Sequence, residues 1–153
     1  MAHTNRGRVI LGGLLAGVVI NVVEYITNGV VMSEAWGRAM QALGKPAELS
    51  TGAIVISNVW GFLLGIAAVW LYAAIRPRYG PGPTTAIRAG VAAWAMAVFL
   101  PNLVSYPMGF FPARLLVISV VAALIEIVVG TLAGAWLYKE GPIAVAPTRS
   151  AAA

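Results

Sequence analysis

The chain predicts an all-α, polytopic membrane four-helix bundle with a short helix lying on one membrane surface. Three observations carry this. Of 153 residues, 60% are hydrophobic and only 10% charged, with a mean hydropathy of +0.87, whereas a soluble domain needs roughly a quarter of its residues charged. Four stretches with little or no charge reach the ~20 residues that a helix needs to cross a hydrocarbon core about 30 Å thick. The basic residues lie between these stretches, not along one face, so the pI near 10.1 reads as a topology signal and predicts no nucleic-acid partner.

The first span runs from Val9 to Met32 after Arg8, and the second from Gly52 to Ile75, ended by Arg76-Pro77-Arg78. The third runs from Ala89 to Gly109 after Arg88, and the fourth from Leu115 to Tyr138 between Arg114 and Lys139. Arg6 and Arg8 ahead of an apolar run imitate a secretory signal. The run is too long for one and lacks a small-residue cleavage pattern at the right distance, so it is expected to remain as helix one. Four crossings put both termini on one side. Arg6, Arg8, Arg76, Arg78, Arg88, Lys139 and Arg149 outnumber Arg38, Lys45 and Arg114 by seven to three, which predicts cytoplasmic termini. Trp70, Tyr72, Trp136 and Tyr138 then fall near the inner interface, where amphipathic rings prefer to sit.

The long connection, Ser33 to Ser50, places Trp36, Met40 and Leu43 on one face and stops at Gly44-Lys45-Pro46. That pattern predicts a short amphipathic helix on the outer membrane surface. Residues 141–153, rich in Pro and Ala, are expected to form a disordered cytoplasmic tail. Asn21 and Tyr25 echo Asn102 and Tyr106, and Trp70-Leu71-Tyr72 echoes Trp136-Leu137-Tyr138. These strings outline two parallel hairpin repeats, although biased composition also produces such matches by chance.

Lipid tails do not drive apolar helix faces together, so membrane helices pack through small residues and polar contacts. Gly13, Gly17, Asn21, Glu24 and Asn28 share an arc of about 80° on the first helix at 100° per residue. The second helix carries Asn58, Gly61, Gly65, Ala68 and Tyr72 on a similar stripe, the third Asn102, Ser105 and Gly109, and the fourth Ser119, Ala123, Glu126, Gly130 and Ala133. Gly13-x-x-x-Gly17 and Gly61-x-x-x-Gly65 point to packing within the chain ahead of a dimer face, and a homo-oligomer or membrane partner stays open. Pro101 and Pro107 remove backbone donors and predict a kinked third helix.

Glu24 and Glu126 carry the functional expectation. An ionised carboxylate at mid-bilayer costs at least about 2.5 kcal/mol, so it normally meets a partner, a cavity or a proton. No span contains Lys, Arg or His. Arg8 and Arg114, the nearest cations on the same helices, stand about 24 and 18 Å away along them. Two states are open: protonated, or ionised and compensated by water, a cation or an amine. The expected site is a polar pocket entered from the extracytoplasmic side, with Glu24 and Glu126 binding a proton or cationic group and Asn21, Asn58, Asn102 and Ser105 orienting it. The competing readings are neutral structural glue and a contact with another subunit.

The strings Asn21-Val-Val-Glu24-Tyr25, Trp60-Gly61-Phe62, Leu71 through Gly82 and Gly134 through Glu140 resemble a group of small bacterial inner-membrane proteins without an assigned activity. The resemblance covers about Val9 to Glu140 and implies a bacterial plasma membrane, but brings no substrate or cofactor. Small multidrug transporters also place a glutamate in the first of four helices. They are shorter and lack the long first loop and second glutamate, so that likeness is analogy alone.

Without cysteine, and with one histidine, His3, outside the spans, neither a metal nor any other cofactor is expected. No Walker-type loop, metal-ligand cluster or nucleophile–base pair marks an enzyme, although two carboxylates leave intramembrane acid–base chemistry open. A small-molecule binder or transporter and an accessory subunit of a membrane complex are the two leading functional classes.

Overall fold

The computed structural model describes residues 5–138. The expected tail at 141–153, together with His3, Lys139 and Arg149, lies outside the described residues. All regular structure among the described residues is helical. Four helices are long and apolar enough to cross a membrane: Arg6–Val31, Thr51–Tyr79, Pro83–Met108 and Ala113–Leu137.

The first span is α1 (Arg6–Glu24), continued by a π-helical turn over Tyr25–Val31. The short helix α2 (Ser33–Ala42) follows directly, and α3 (Thr51–Tyr79) is the second span. The third comprises α4 (Pro83–Trp94), a π-helical turn at Ala95–Phe99, α5 (Leu100–Ser105) and a 3-10 turn at Tyr106–Met108; α6 (Ala113–Leu137) is the fourth. Local chemistry explains the starts. Asn5 Oδ1 accepts from the Arg8 N–H at 3.1 Å, Ser50 Oγ accepts from the Ala53 N–H at 3.2 Å, and Pro83 opens α4, where no donor is needed.

The boundaries differ from the apolar stretches in a consistent way. α3 continues through Arg76-Pro77-Arg78 to Tyr79, and α4 starts well ahead of Ala89. Charge limits how deep a helix sits in lipid, not how long it is, so these arginines ride on helical extensions. The third span carries a π-helical turn ahead of Pro101, closed by a Leu100 N–H bond to the Ala95 carbonyl. Pro101 follows that turn directly, and its missing N–H leaves a carbonyl of the preceding turn without a helical donor.

α1 packs chiefly against α3 and α6, α4 packs against α6 and α3, and α3 touches α6 across the short diagonal. The spans therefore follow one another round the bundle, with α1 and α4 at opposite corners. Glycines set the spacing. Gly13 meets Ile66, Gly17 meets Phe62, and Gly65 faces the backbone of Gly13 and Gly17. On the other flank of α1, Gly12 and Ala16 face Gly134 and Gly130 of α6. Both GxxxG pairs thus work within the chain, and Gly134 takes the buried position expected for Ala133.

The core fills the end where α1 starts and α3 finishes, here called the basal end. Ile20, Val69, Ile127 and Thr131 are fully buried there, and Thr131 returns its hydroxyl to the Ile127 carbonyl at 2.6 Å. The two Trp-Leu-Tyr strings behave alike. Tyr72 and Tyr138 turn inward and meet edge to face at 6.0 Å, while Trp70 and Trp136 face outward. Toward the other end the packing loosens: of Thr51–Trp60, every residue except Ala53 is exposed.

α2 forms as the pattern predicts and stops at Gly44 with φ 70°. The Lys45 and Gly44 N–H groups bond back to the Met40 and Gln41 carbonyls, a Schellman ending. Its inward face is shifted from the expected one. Ala39 is buried with Met32 and Leu115, Trp36 and Phe111 pack beside them, and Leu43 is left exposed in the cap.

A Cβ placed on Gly65 would stand 2.6 Å from the Gly13 carbonyl oxygen. Gly65→Val is therefore expected to cost at least the ~1–3 kcal/mol of overpacking. Gly52→Ala, whose Cβ would meet only Ser50 Oγ at 4.0 Å, should leave stability within about 1 kcal/mol. Denaturation of the detergent-solubilised variants checks both.

Candidate functional site

Antiparallel packing of α1 on α6 sets a register in which Gly12 lies at Gly134, Ile20 at Gly130 and Asn28 at Ser119. That register brings Glu24 beside Glu126. Their side chains meet carboxyl to carboxyl, within reach of a shared hydrogen bond. The two environments differ. Glu126 is 2% exposed and its Oε2 is buried without a hydrogen-bond partner, whereas Glu24 is exposed.

Glu24 is held from its far side. Its Oε2 accepts from Asn28 Nδ2 at 2.9 Å. Asn28 Oδ1 in turn accepts from Trp36 Nε1 at 2.8 Å and from Ser119 Oγ at 3.2 Å. One amide thereby ties α1 to α2 and α6. Asn28 belongs to the π-helical turn Tyr25–Val31, whose extra residues per turn change the phase of the polar stripe just beyond Glu24. Single π-helical turns of this kind recur at functional sites. The Arg38–Glu34 salt bridge, at 3.4 Å, lies on the exposed surface of α2.

The remaining candidates do not converge on the pair. Asn21 Nδ2 donates to the Asn58 carbonyl at 3.1 Å, a separate bridge between α1 and α3, and Asn58 Nδ2 donates to Ile54 O at 2.8 Å. Asn102 Nδ2 bonds Val98 O at 2.9 Å and Ser105 Oγ bonds Asn102 O at 3.3 Å, both within the third span. Side-chain donors in a dry span turn to the nearest carbonyls of their own helix. The pattern of residues singled out Glu24 and Glu126 but not the set that orients them. Asn28 and Ser119 were visible on the polar stripes, and Trp36 read only as a surface anchor. The missing signal was the single-residue link, Met32, that folds α2 back over the end of α1.

Comparison of the chain with protein-family models, curated proteins and solved structures gives no match. What the arrangement can do chemically therefore rests on its geometry. A buried carboxyl whose Oε2 accepts from no protein donor, beside a second carboxyl, can hold a proton or a small cation.

Trp36→Phe keeps the ring edge that meets Phe111 at 5.3 Å but removes the indole donor. A loss of about 0.6 kcal/mol is expected, the usual size for such a bond in membranes, read from denaturation in detergent. Asn28→Leu removes three bonds at once and should cost more than Trp36→Phe and Ser119→Ala do separately.

Proposed function

We propose that the protein is a multi-pass protein of a bacterial inner membrane, with cytoplasmic termini, that binds or carries a small cation or amine in exchange for a proton at Glu24 and Glu126. The observation that carries this reading is the buried, unpartnered Oε2 of Glu126 beside a second carboxyl. Two carboxylates in contact within a low-dielectric span cannot both stay ionised without a positive charge between them. A proton supplies that charge, and so does a cationic ligand. The loose end of the bundle, where Glu24 and the flank of α3 are exposed, supports entry from the α2 side. The proposed orientation is supported by the basic residues: Arg6, Arg8, Arg76, Arg78 and Arg88 lie at the basal end, and the positive-inside rule favours the cytoplasm for such an end.

A second reading, an accessory subunit with no ligand of its own, draws on the exposed Thr51–Trp60 segment of α3 as a face for another membrane protein. Proton counting separates the two. In weakly buffered detergent solution, addition of sodium chloride or tetraphenylphosphonium chloride is expected to release protons, approaching one per chain at saturation. Glu126→Gln and Glu24→Gln should abolish the release, while Glu34→Gln on α2 should retain it. No release from the parent chain with either probe, or an unchanged release from Glu126→Gln, would leave the accessory reading in its place.

A further inference from the structure

We infer that the basal groove between α1 and α3 is a binding site for one anionic phospholipid, with the phosphate at Arg6 and Trp70 and an acyl chain laid along Val9, Ile10, Leu63 and Ile66. The groove does not depend on the carboxyl pair, and its test is independent of the proton exchange at that pair.

The cleft has a volume of about 760 Å³, within the range of ligand pockets. Its origin is the glycine contact described above. α1 and α3 touch where Gly13 meets Ile66 and Gly17 meets Phe62, and the cleft runs beside that crossing from Leu63 and Ile66 to Arg6 and Trp70. Val9, 4% exposed, forms the floor, and Ile10 and Leu63 stand exposed as walls. Leu63 to Trp70 gives about 10 Å of apolar wall along the helix axis. Arg6, the first residue of α1, and the exposed indole of Trp70 close the basal end.

The order of groups matches a phospholipid. Apolar wall lies toward mid-membrane, an amphipathic ring lies at headgroup depth, and a guanidinium able to grip phosphate with two donors lies beyond it. Basic pockets between spanning helices select anionic headgroups in this manner. A built-in comparison lies at the same end. A cleft of about 350 Å³ is lined by Tyr72, Pro83, Ala86, Leu132 and Trp136, the repeat counterpart of Trp70, with no cation in its lining. That groove offers a chain the same apolar contact without a charge to select the headgroup. Arg78 and Arg88 also lie at the basal end, but their guanidinium groups sit over the Tyr79 ring at 5.8 and 4.8 Å.

Native mass spectrometry of the full chain in detergent, with dioleoyl phosphatidylglycerol and dioleoyl phosphatidylcholine as probes, tests the assignment. The anionic lipid is expected to bind about fivefold more tightly at one site, the advantage of one arginine near the surface. Arg6→Gln should bring the two lipids level, and Arg78→Gln should preserve the preference. Leu63→Trp, which fills the groove and leaves Arg6 in place, should weaken the anionic lipid as well. Millimolar inorganic phosphate should not displace it. Equal binding of the two lipids to the parent chain, or equal losses in Arg6→Gln and Arg78→Gln, would overturn the proposal. So would displacement by phosphate, in favour of a simple anion site.

Discussion

The structure depends on the close backbone approach of α1 to two neighbours at once. In lipid no hydrophobic force gathers helices, so contact must come from van der Waals packing at short range. α1 achieves it with glycine on both flanks, Gly13 and Gly17 toward α3 and Gly12 with Ala16 toward α6. A Cβ on Gly12, Gly13 or Gly17 would already stand within 3.0 Å of the facing helix, so any side chain there would hold the helices apart. The same contact fixes the α1–α6 register, and that register places Glu24 against Glu126. Both the small-residue stripes and the acidic pair are consequences of one packing decision.

Around that pair the support is unequal. Glu24 is braced through Asn28 by a surface helix and a second span, with bonds between 2.8 and 3.2 Å. Glu126 has a buried Oε2 that accepts from no donor of the surrounding protein, and a proton shared with Glu24 would serve it. A polar group used only to join helices would have its donors and acceptors matched, since an unsatisfied buried oxygen costs stability. A site that takes up and releases a positive group needs the opposite: one carboxyl held in place and another left with capacity.

Much of this was legible in the residues themselves. Four spans, the surface helix stopped at Gly44 and the use of both GxxxG pairs within the chain follow from hydropathy, periodicity and small-residue spacing. The helices run on beyond the apolar stretches at Arg76-Pro77-Arg78 and start ahead of Ala89, because hydropathy reports the part of a helix that suits lipid and not its full length. The two glutamates stood out because an ionisable residue at mid-bilayer is costly. Their partners did not, because periodicity shows which face a residue occupies and not which carbonyl its amide will take. Asn102 and Ser105 share a face with polar neighbours yet bond within their own helix. Trp36 bonds Asn28 only because the turn at Met32 reverses the chain.

Glu24 and Glu126 also lie where the bundle changes character. Basal to them, Ile20, Ala68, Val69, Ile127 and Thr131 seal the interior. Beyond them, α3 from Thr51 to Trp60 is exposed almost throughout. For the proposed exchange, a carboxyl deep in the sealed half would have no route for a proton or cation. At the junction, Glu126 has the low-dielectric surroundings that strengthen a charge contact, and in the proposed exchange Glu24 is the exposed neighbour through which that charge arrives. The glycines make the sealed half, the α2 brace holds the exposed carboxyl at its edge, and the site follows from where the first stops and the second begins.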